Sequence, residues 1–242
     1  MVTNSSVQLE SAKYVHLMKS SFTVGIDLGQ SNDPTAFSAV ERLSHYVTNP
    51  WTPGSRIHSG FTAIPVTDID GKKPPDAFHI RALERLKLGV SYLDIASQLA
   101  AMLGTQKLVG ARVFIDATGV GRPVCDLLRS AGIKHTAVTI TGGRDEHQHG
   151  NAATVSKLLL ISKLQAVLHS DELKIADELP EAKAFMRELQ EFRVSWTAAG
   201  NIQFGARQGA HDDLVLAAAL AIYGATRSEP AMDLSGIKFA WL

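Results

Sequence analysis

ARVFIDATGVGRPVCDLLRSAGIKHTAVTI, residues 111–140, reads as a strand, a helix and a second strand in one unbroken unit. The first run, RVFID, is rich in strand formers and ends on Asp116. Gly119, Gly121 and Arg122 then turn the chain, and Pro123 suits the first turn of a helix. The stretch VCDLLRSAG spaces its apolar residues for a helix and stops at Gly132. KHTAVTI is strand-like again. Such a connection places its two strands parallel in one sheet, so the chain is of the α/β class.

Working towards the N-terminus, FTVGIDLG (residues 22–29) is a buried strand ending on Asp27, followed by the turn-rich GQSNDP. Residues 35–43 read as a second strand returning antiparallel, and residues 77–89 as a third with an exposed basic edge. Residues 91–105 carry the 3.6-residue period of a helix. Residues 1–21 read as an arm with a short helix around 8–19, and the proline-rich residues 48–75 as an insertion loop or hairpin. Towards the C-terminus, TGGRDEHQHGN reads as a polar loop. A long helix over 151–173, another over 178–194 and a hairpin turning near Gly200 follow. The last helix opens at Asp212 and is apolar to about Gly224, and residues 226–242 read as a tail. The expected domain is residues 22–225.

The chain has 242 residues, 45% of them hydrophobic, which is enough for a substantial core. Lys and Arg together balance Asp and Glu, giving a formal net charge of zero. That balance counts against tight autonomous nucleic-acid binding, which rests on excess positive charge. No uninterrupted run of about 18 apolar residues occurs, so no membrane span is expected. The start lacks the charged-then-apolar build of a secretory signal, which points to a cytoplasmic protein. The single cysteine, Cys125, is expected to pack as a small apolar residue.

Three apolar segments carry acids: Asp27, Asp116 and the pair Asp212–Asp213. Buried carboxylates are costly unless a cation satisfies them, so acids on three core elements suggest a shared divalent metal. Oxygen donors of this kind suit Mg²⁺ or Mn²⁺, and two such ions can cleave a phosphodiester. In that arrangement Asp27 bridges both ions while Asp116 and one helix acid hold one each. Adjacent helical residues point about 100° apart, so only one of the pair serves as a direct ligand. Asp213 is preferred, because Leu216, Ala217 and Leu220 share its side; Asp212 then supports it, or replaces it if the helix is rotated. Taken singly, each acid is equally compatible with a turn or a helix cap. Only the combination carries the metal reading.

Neighbouring residues extend the candidate site. His211, beside the acid pair, can ligate metal, orient a water or contact a phosphate. Arg122, Arg144, Lys157, Lys163 and Arg207 are candidates for a DNA-facing rim, against the plain alternative of solvated surface charge. His147 and His149 with Asp145 lack convincing zinc spacing.

Four stretches resemble a known family: VGIDLGQSNDPTAFSAVER (24–42), FHIRALERLKLG with YLDIASQLAAML (78–103), FIDATGVGRPVCDLLRSAG (114–132) and FGARQGAHDDLVLAAALAIYGA (204–225). Together they resemble the C-terminal nuclease domain of phage terminase large subunits, within the ribonuclease H-like, RuvC-like group. The resemblance implies a central five-stranded mixed sheet of order 3-2-1-4-5 flanked by helices. It further implies an endonuclease that cuts double-stranded DNA during viral genome packaging. Mg²⁺ or Mn²⁺, as two ions, would be held at Asp27, Asp116 and the Asp212–Asp213 pair. The partners implied are double-stranded DNA, an ATPase motor, a small terminase subunit and a portal, with no membrane, in a bacterial host cytoplasm. No GxxxxGK[ST] occurs in the sequence, so the motor is expected on a separate chain or domain. Two rival readings stand beside this one. The first is a packaging assembly module of the same fold with weak or no cleavage. The second is a fragment of an actin- or Hsp70-like ATPase, whose first phosphate loop also resembles GIDLG.

Overall fold

The computed structural model describes residues 15–29, 33–48, 64–65, 75–119, 121–196, 202–205 and 211–227. Within Met1–Ser20, Leu43–Asp76 and Ser228–Leu242, which form one unit, the described residues are strand ends and a short pairing. There β3 (Ile64–Pro65) pairs antiparallel with β2 (Ala36–Thr48) through Val47 with Ile64 and Tyr46 with Pro65. Most of the insertion expected over 48–75, and the arm and tail, lie outside the described residues. The other unit, Ser21–Arg42 with Ala77–Arg227, carries the sheet and every helix named below.

Its strands are the body of β1 (Val15–Asp27) and of β2, β4 (Ala77–Arg85), β5 (Arg112–Asp116), β6 (Thr136–Thr141), β7 (Glu146–His149), β8 (Ala152–Ser156) and β9 (Leu173–Ile175). They line up as β7-β8-β6-β5-β1-β2-β4-β9. The run β4-β2-β1-β5-β6 is the expected 3-2-1-4-5 order, and it occupies the middle of a nine-stranded sheet. The sheet is therefore wider than five strands. β8 and β7 extend it beyond β6, and β9 extends it parallel to β4 through Phe78 with Leu173 and Ile80 with Ile175. A separate hairpin, β10 (Arg193–Trp196) and β11 (Ile202–Gly205), pairs antiparallel as the sequence suggested.

Three local expectations need correction. Residues 15–19 are strand, so the helix expected around 8–19 does not extend over them. The polar stretch after β6 is not all loop, since residues 146–149 form edge strand β7 against β8. The long helix expected over 151–173 divides into β8, a helix and β9. Thr154 and Val155 favour strand, and β8 runs parallel to β6 from Ala152 to Ser156. Ser156 then caps the helix, its hydroxyl accepting the Leu159 amide at 3.2 Å.

The helices are α1 (Tyr92–Leu103), α2 (Gly121–Ser130), α3 (Lys157–His169), α4 (Ala182–Glu191) and α5 (Asp213–Thr226). The first of them starts on a Ser91 cap, whose hydroxyl accepts the Asp94 amide at 3.2 Å. Strand alternation sorts the side chains into two cores. Val24, Ile26, Val113 and Ile115 pack with Ile95, Leu99, Val124 and Leu128 on one face. Phe114 and Val138 pack with α3, α4 and α5 on the other. The result is helices on both faces of a mixed sheet.

Helix α5 is buried from Asp213 to Ala225 and lies against β5, β4 and, at Gly25, β1. A Cβ at Gly25 would stand 2.1 Å from the Ala217 carbonyl oxygen and 2.4 Å from the Ala221 nitrogen. A Cβ at Gly224 would stand 2.4 Å from the Phe114 ring and 2.6 Å from the Thr23 methyl. Glycine at both positions lets the helix backbone touch the sheet. The same contacts show that α5 runs antiparallel to β1, its C-terminal end beside Thr23 and its middle beside Gly25. Two residues further along β1, about 6.7 Å, brings Asp27 level with the start of α5.

The C-terminal end of α5 is tied by charge. Arg42 Nη1 donates to the Ala225 carbonyl at 2.7 Å and Arg112 Nη2 to the Gly224 carbonyl at 2.7 Å. These guanidinium groups satisfy orphan carbonyls where the helix dipole is negative. Replacing Gly25 with Ala is expected to cost about 3 kcal/mol, because the obstructing atoms belong to a helix backbone. Thermal melts should show the midpoint lowered by roughly 5–10 °C.

Candidate functional site

Strands β1 and β5 are parallel neighbours, and their register sets Asp27 directly beside Asp116. Residues in register on parallel strands face the same side, about 4.8 Å apart along the hydrogen-bonding direction. Asp27 follows Gly25 at i+2 and Asp116 follows Phe114 at i+2, so both carboxylates face the α5 side. The helix brings Asp212 and Asp213 to the same end. All four sequence-derived acids therefore gather at one edge of the β1–α5 contact.

Electrostatics show how closely they gather. Burial pushes the Asp27 carboxyl well above the usual carboxylate range, and Asp116, Asp212 and Asp213 push it further, in that order. Lys157 opposes them more weakly. Burial also raises Asp116, while hydrogen bonds from Thr118 work against that rise. The Thr118 amide donates to Asp116 Oδ1 at 2.8 Å, and its hydroxyl reaches the same oxygen. That hydroxyl also accepts the Ile140 amide at 2.8 Å, tying the β5 exit to β6. Asp followed two residues later by a hydrogen-bonding partner is a turn signature, legible in DATG.

The two helix acids have different partners. Asp213 is buried and its Oδ2 accepts Arg85 Nε at 2.5 Å. The same guanidinium pairs with Glu188 of α4 and stands 3.5 Å from Glu181. Glu188 Oε2 in turn accepts the amides of Leu214 and Val215 at 3.2 and 3.3 Å. The first turn of α5 is thus capped by a buried carboxylate from another helix, since the Asp212 side chain makes no cap bond. Asp212 is half-buried, with Oδ2 accepting Lys157 Nζ at 2.9 Å. Its influence on Asp27 also exceeds that of Asp213.

Among the described residues, no group of three or more His, Cys, Asp or Glu side chains stands ready to hold one ion. Asp212 and Asp213 are turned instead to Lys157 and Arg85. Nevertheless the donor set suits a hard divalent cation, because it is all carboxylate oxygen and its charges repel at Asp27.

The remaining candidates are distributed unevenly. His211 is exposed, with Nδ1 3.6 Å from Asp213 Oδ1, too long for a hydrogen bond. Lys157 joins the acids. Lys163 does not, because its Nζ lies 3.4 Å from Thr226 Oγ1 at the far end of α5. Arg144 is exposed in the bend before β7, and His147 and His149 are exposed on that strand. Arg122 belongs to α2, but its side chain, like the whole of Arg207, lies outside the described residues. Arg85 and Glu188 are the residues that sequence reasoning missed. The expected basic edge on β4 holds for exposed Arg81, which pairs with Glu41, whereas Arg85 turns inward.

Asp27 should therefore weaken the metal-free protein. A carboxyl raised in the folded state binds its proton more tightly there, so stability falls as pH rises from the ordinary value through the raised one. Asp27→Asn removes that loss. At pH 8 without metal its melting temperature should exceed that of the parent by about 2–4 °C, with the gap closing below roughly pH 4. The opposite sign is expected for Arg85→Met, which strands Asp213 and Glu188 without their cation. It should cost about 3 kcal/mol in a denaturant titration.

No family model matches the chain. The terminase large subunit of Thermus phage G20c is 29% identical over 146 residues, covering 60% of this chain and 26% of that protein. The terminase large subunit of Thermus virus P23-45 matches equally, so the aligned part spans about a quarter of either relative. Among solved structures, the G20c large terminase nuclease aligns with a TM-score of 0.56 at 24% identity, over 85% of this chain and 82% of that one. The same nuclease with bound magnesium gives 0.55. The large terminase nuclease domain of Thermus phage P74-26 gives 0.52 at 23% identity, over 84% and 78%. The described helices include none long and apolar enough to cross a membrane. The chain is thus similar in sequence to phage terminase large subunits, and its fold is the ribonuclease H-like fold of their nuclease domains.

Proposed function

We propose that the chain is a divalent-metal-dependent endonuclease of the terminase type, acting on double-stranded DNA during viral genome packaging. One observation carries this reading: Asp27 and Asp116 stand in register on adjacent parallel strands, at the end where α5 delivers two more acids. Its likeness to a large terminase nuclease solved with bound magnesium supports Mg²⁺ or Mn²⁺ as the ion.

Divalent ions held by such acids activate water and offset charge on a phosphodiester in hydrolysis. Asp27 is the common member of the cluster, since the other three acids all act on its charge, and it would be the central carboxylate in holding the ions. Asp116 is held by Thr118 through Oδ1, which fixes the carboxylate plane beside Asp27. Of the helix pair, Asp212 is the better-placed ligand. This choice differs from the preference drawn from helical spacing and is supported by the pairing of Asp213 with the forked Arg85, against that of Asp212 with the single ammonium of Lys157. A small terminase subunit, a portal and an ATPase motor belong to this reading as partners.

Plasmid DNA incubated with Mn²⁺ or Mg²⁺ tests the reading directly. The parent should nick or linearise it, and Asp27→Asn or Asp116→Asn should lose about a hundredfold or more. Equal cutting by all three proteins would overturn the assignment. Metal-dependent stabilisation with no cutting of any DNA would favour an assembly module of the same fold.

A further inference from the structure

Lys157 occupies an unusual place. It is the first residue of α3, immediately after the Ser156 cap, where the helix dipole favours an acid over a cation. That first turn has no acidic residue. The ammonium is directed instead to Asp212 Oδ2 at 2.9 Å, and it lies near enough to Asp27 and Asp116 to offset part of their charge. It also stands 5.7 Å from the centre of the Phe192 ring, a second, weaker resting place for a cation. A lysine suits a changeable contact. Its compact charge sits on a flexible four-carbon stem, unlike the forked guanidinium that fixes Asp213.

We propose that Lys157 is a built-in counter-ion of the acid cluster, competing with the divalent ion for Asp212 and passing to a DNA phosphate when the ion enters. The inference rests on the nuclease reading of this site and adds a regulation to it. Without DNA, binding an ion requires the Lys157–Asp212 pair to part, leaving the ammonium without its carboxylate. With DNA present, a phosphate oxygen replaces that carboxylate. Metal and DNA then favour one another, by the reciprocity of linked binding.

Calorimetric titration of the whole chain with Mn²⁺ compares the parent with Lys157→Gln and Lys157→Arg. The Gln variant should bind Mn²⁺ about fivefold or more tightly, the worth of one partly exposed ion pair, and should melt at a lower temperature without metal. The Arg variant should remain close to the parent. A lysine that merely supports the fold would give weaker Mn²⁺ binding when removed, so the direction of change separates the roles. Repeating the titration with Ca²⁺ and a short duplex, the duplex should tighten ion binding by the parent more than by the Gln variant. Unchanged or weaker Mn²⁺ binding by Lys157→Gln would overturn the inference and leave the nuclease reading standing. No Mn²⁺ binding by the parent would overturn both.

Discussion

The contact of α5 with β1 at Gly25 is the constraint on which the rest depends. Because the helix backbone lies directly on the strand, Gly25 has no room for a Cβ between it and Ala217, Leu220 and Ala221. That closeness places the start of α5 level with the end of β1. Moving the helix outward by one side-chain layer would separate the helix acids from Asp27, whose carboxyl they now influence. The two arginines at its far end and the Arg85–Glu188 pair at its near end hold α5 lengthwise along β1.

Charge at the near end is divided between two tasks. Arg85, Glu188 and Asp213 form a buried set whose members satisfy one another and the open amides of the helix. Asp27, Asp116 and Asp212 form a second set, in which Lys157 is the lysine that offsets them among the described residues. The first set fixes position, and the second retains unresolved repulsion. Buried ion pairs add little net stability once desolvation is counted, but they do restrict geometry. Here the restriction falls on the one helix whose placement the acids require.

Much of this was legible in the chain. The strand–helix–strand unit over 111–140 gave the parallel pairing, and acids at the ends of two apolar runs marked adjacent central strands. Alternation explains why: with Val24, Ile26, Val113 and Ile115 committed to one face, Asp27 and Asp116 must take the other. What could not be read was long-range. Nothing local distinguishes Arg85 from exposed Arg81, or tells that Glu188, on an outwardly ordinary amphipathic helix, caps α5 from 26 residues away. The division of the 151–173 segment was missed because strand β8 runs into α3 without a turn. Helical spacing singles out the buried Asp213 but carries no sign of the different partners, Arg85 and Lys157, that the two helix acids have.

Helix α5 also shapes how the fold is reached. Its C-terminal end is bonded to a residue 183 positions earlier in the chain, on a strand from the opposite end of the sequence. Contacts of such separation are slow to form, because the intervening loop must close before they contribute. In the folded chain α5 covers Phe114 and Gly25, whose contacts leave no room for a Cβ at Gly25 or at Gly224. Asp27 and Asp116 lie side by side once β1 and β5 pair, and Asp212 and Asp213 join them only with α5. The repulsion between Asp27 and Asp116 thus belongs to the pairing of β1 with β5, and the helix acids add theirs where α5 meets the sheet.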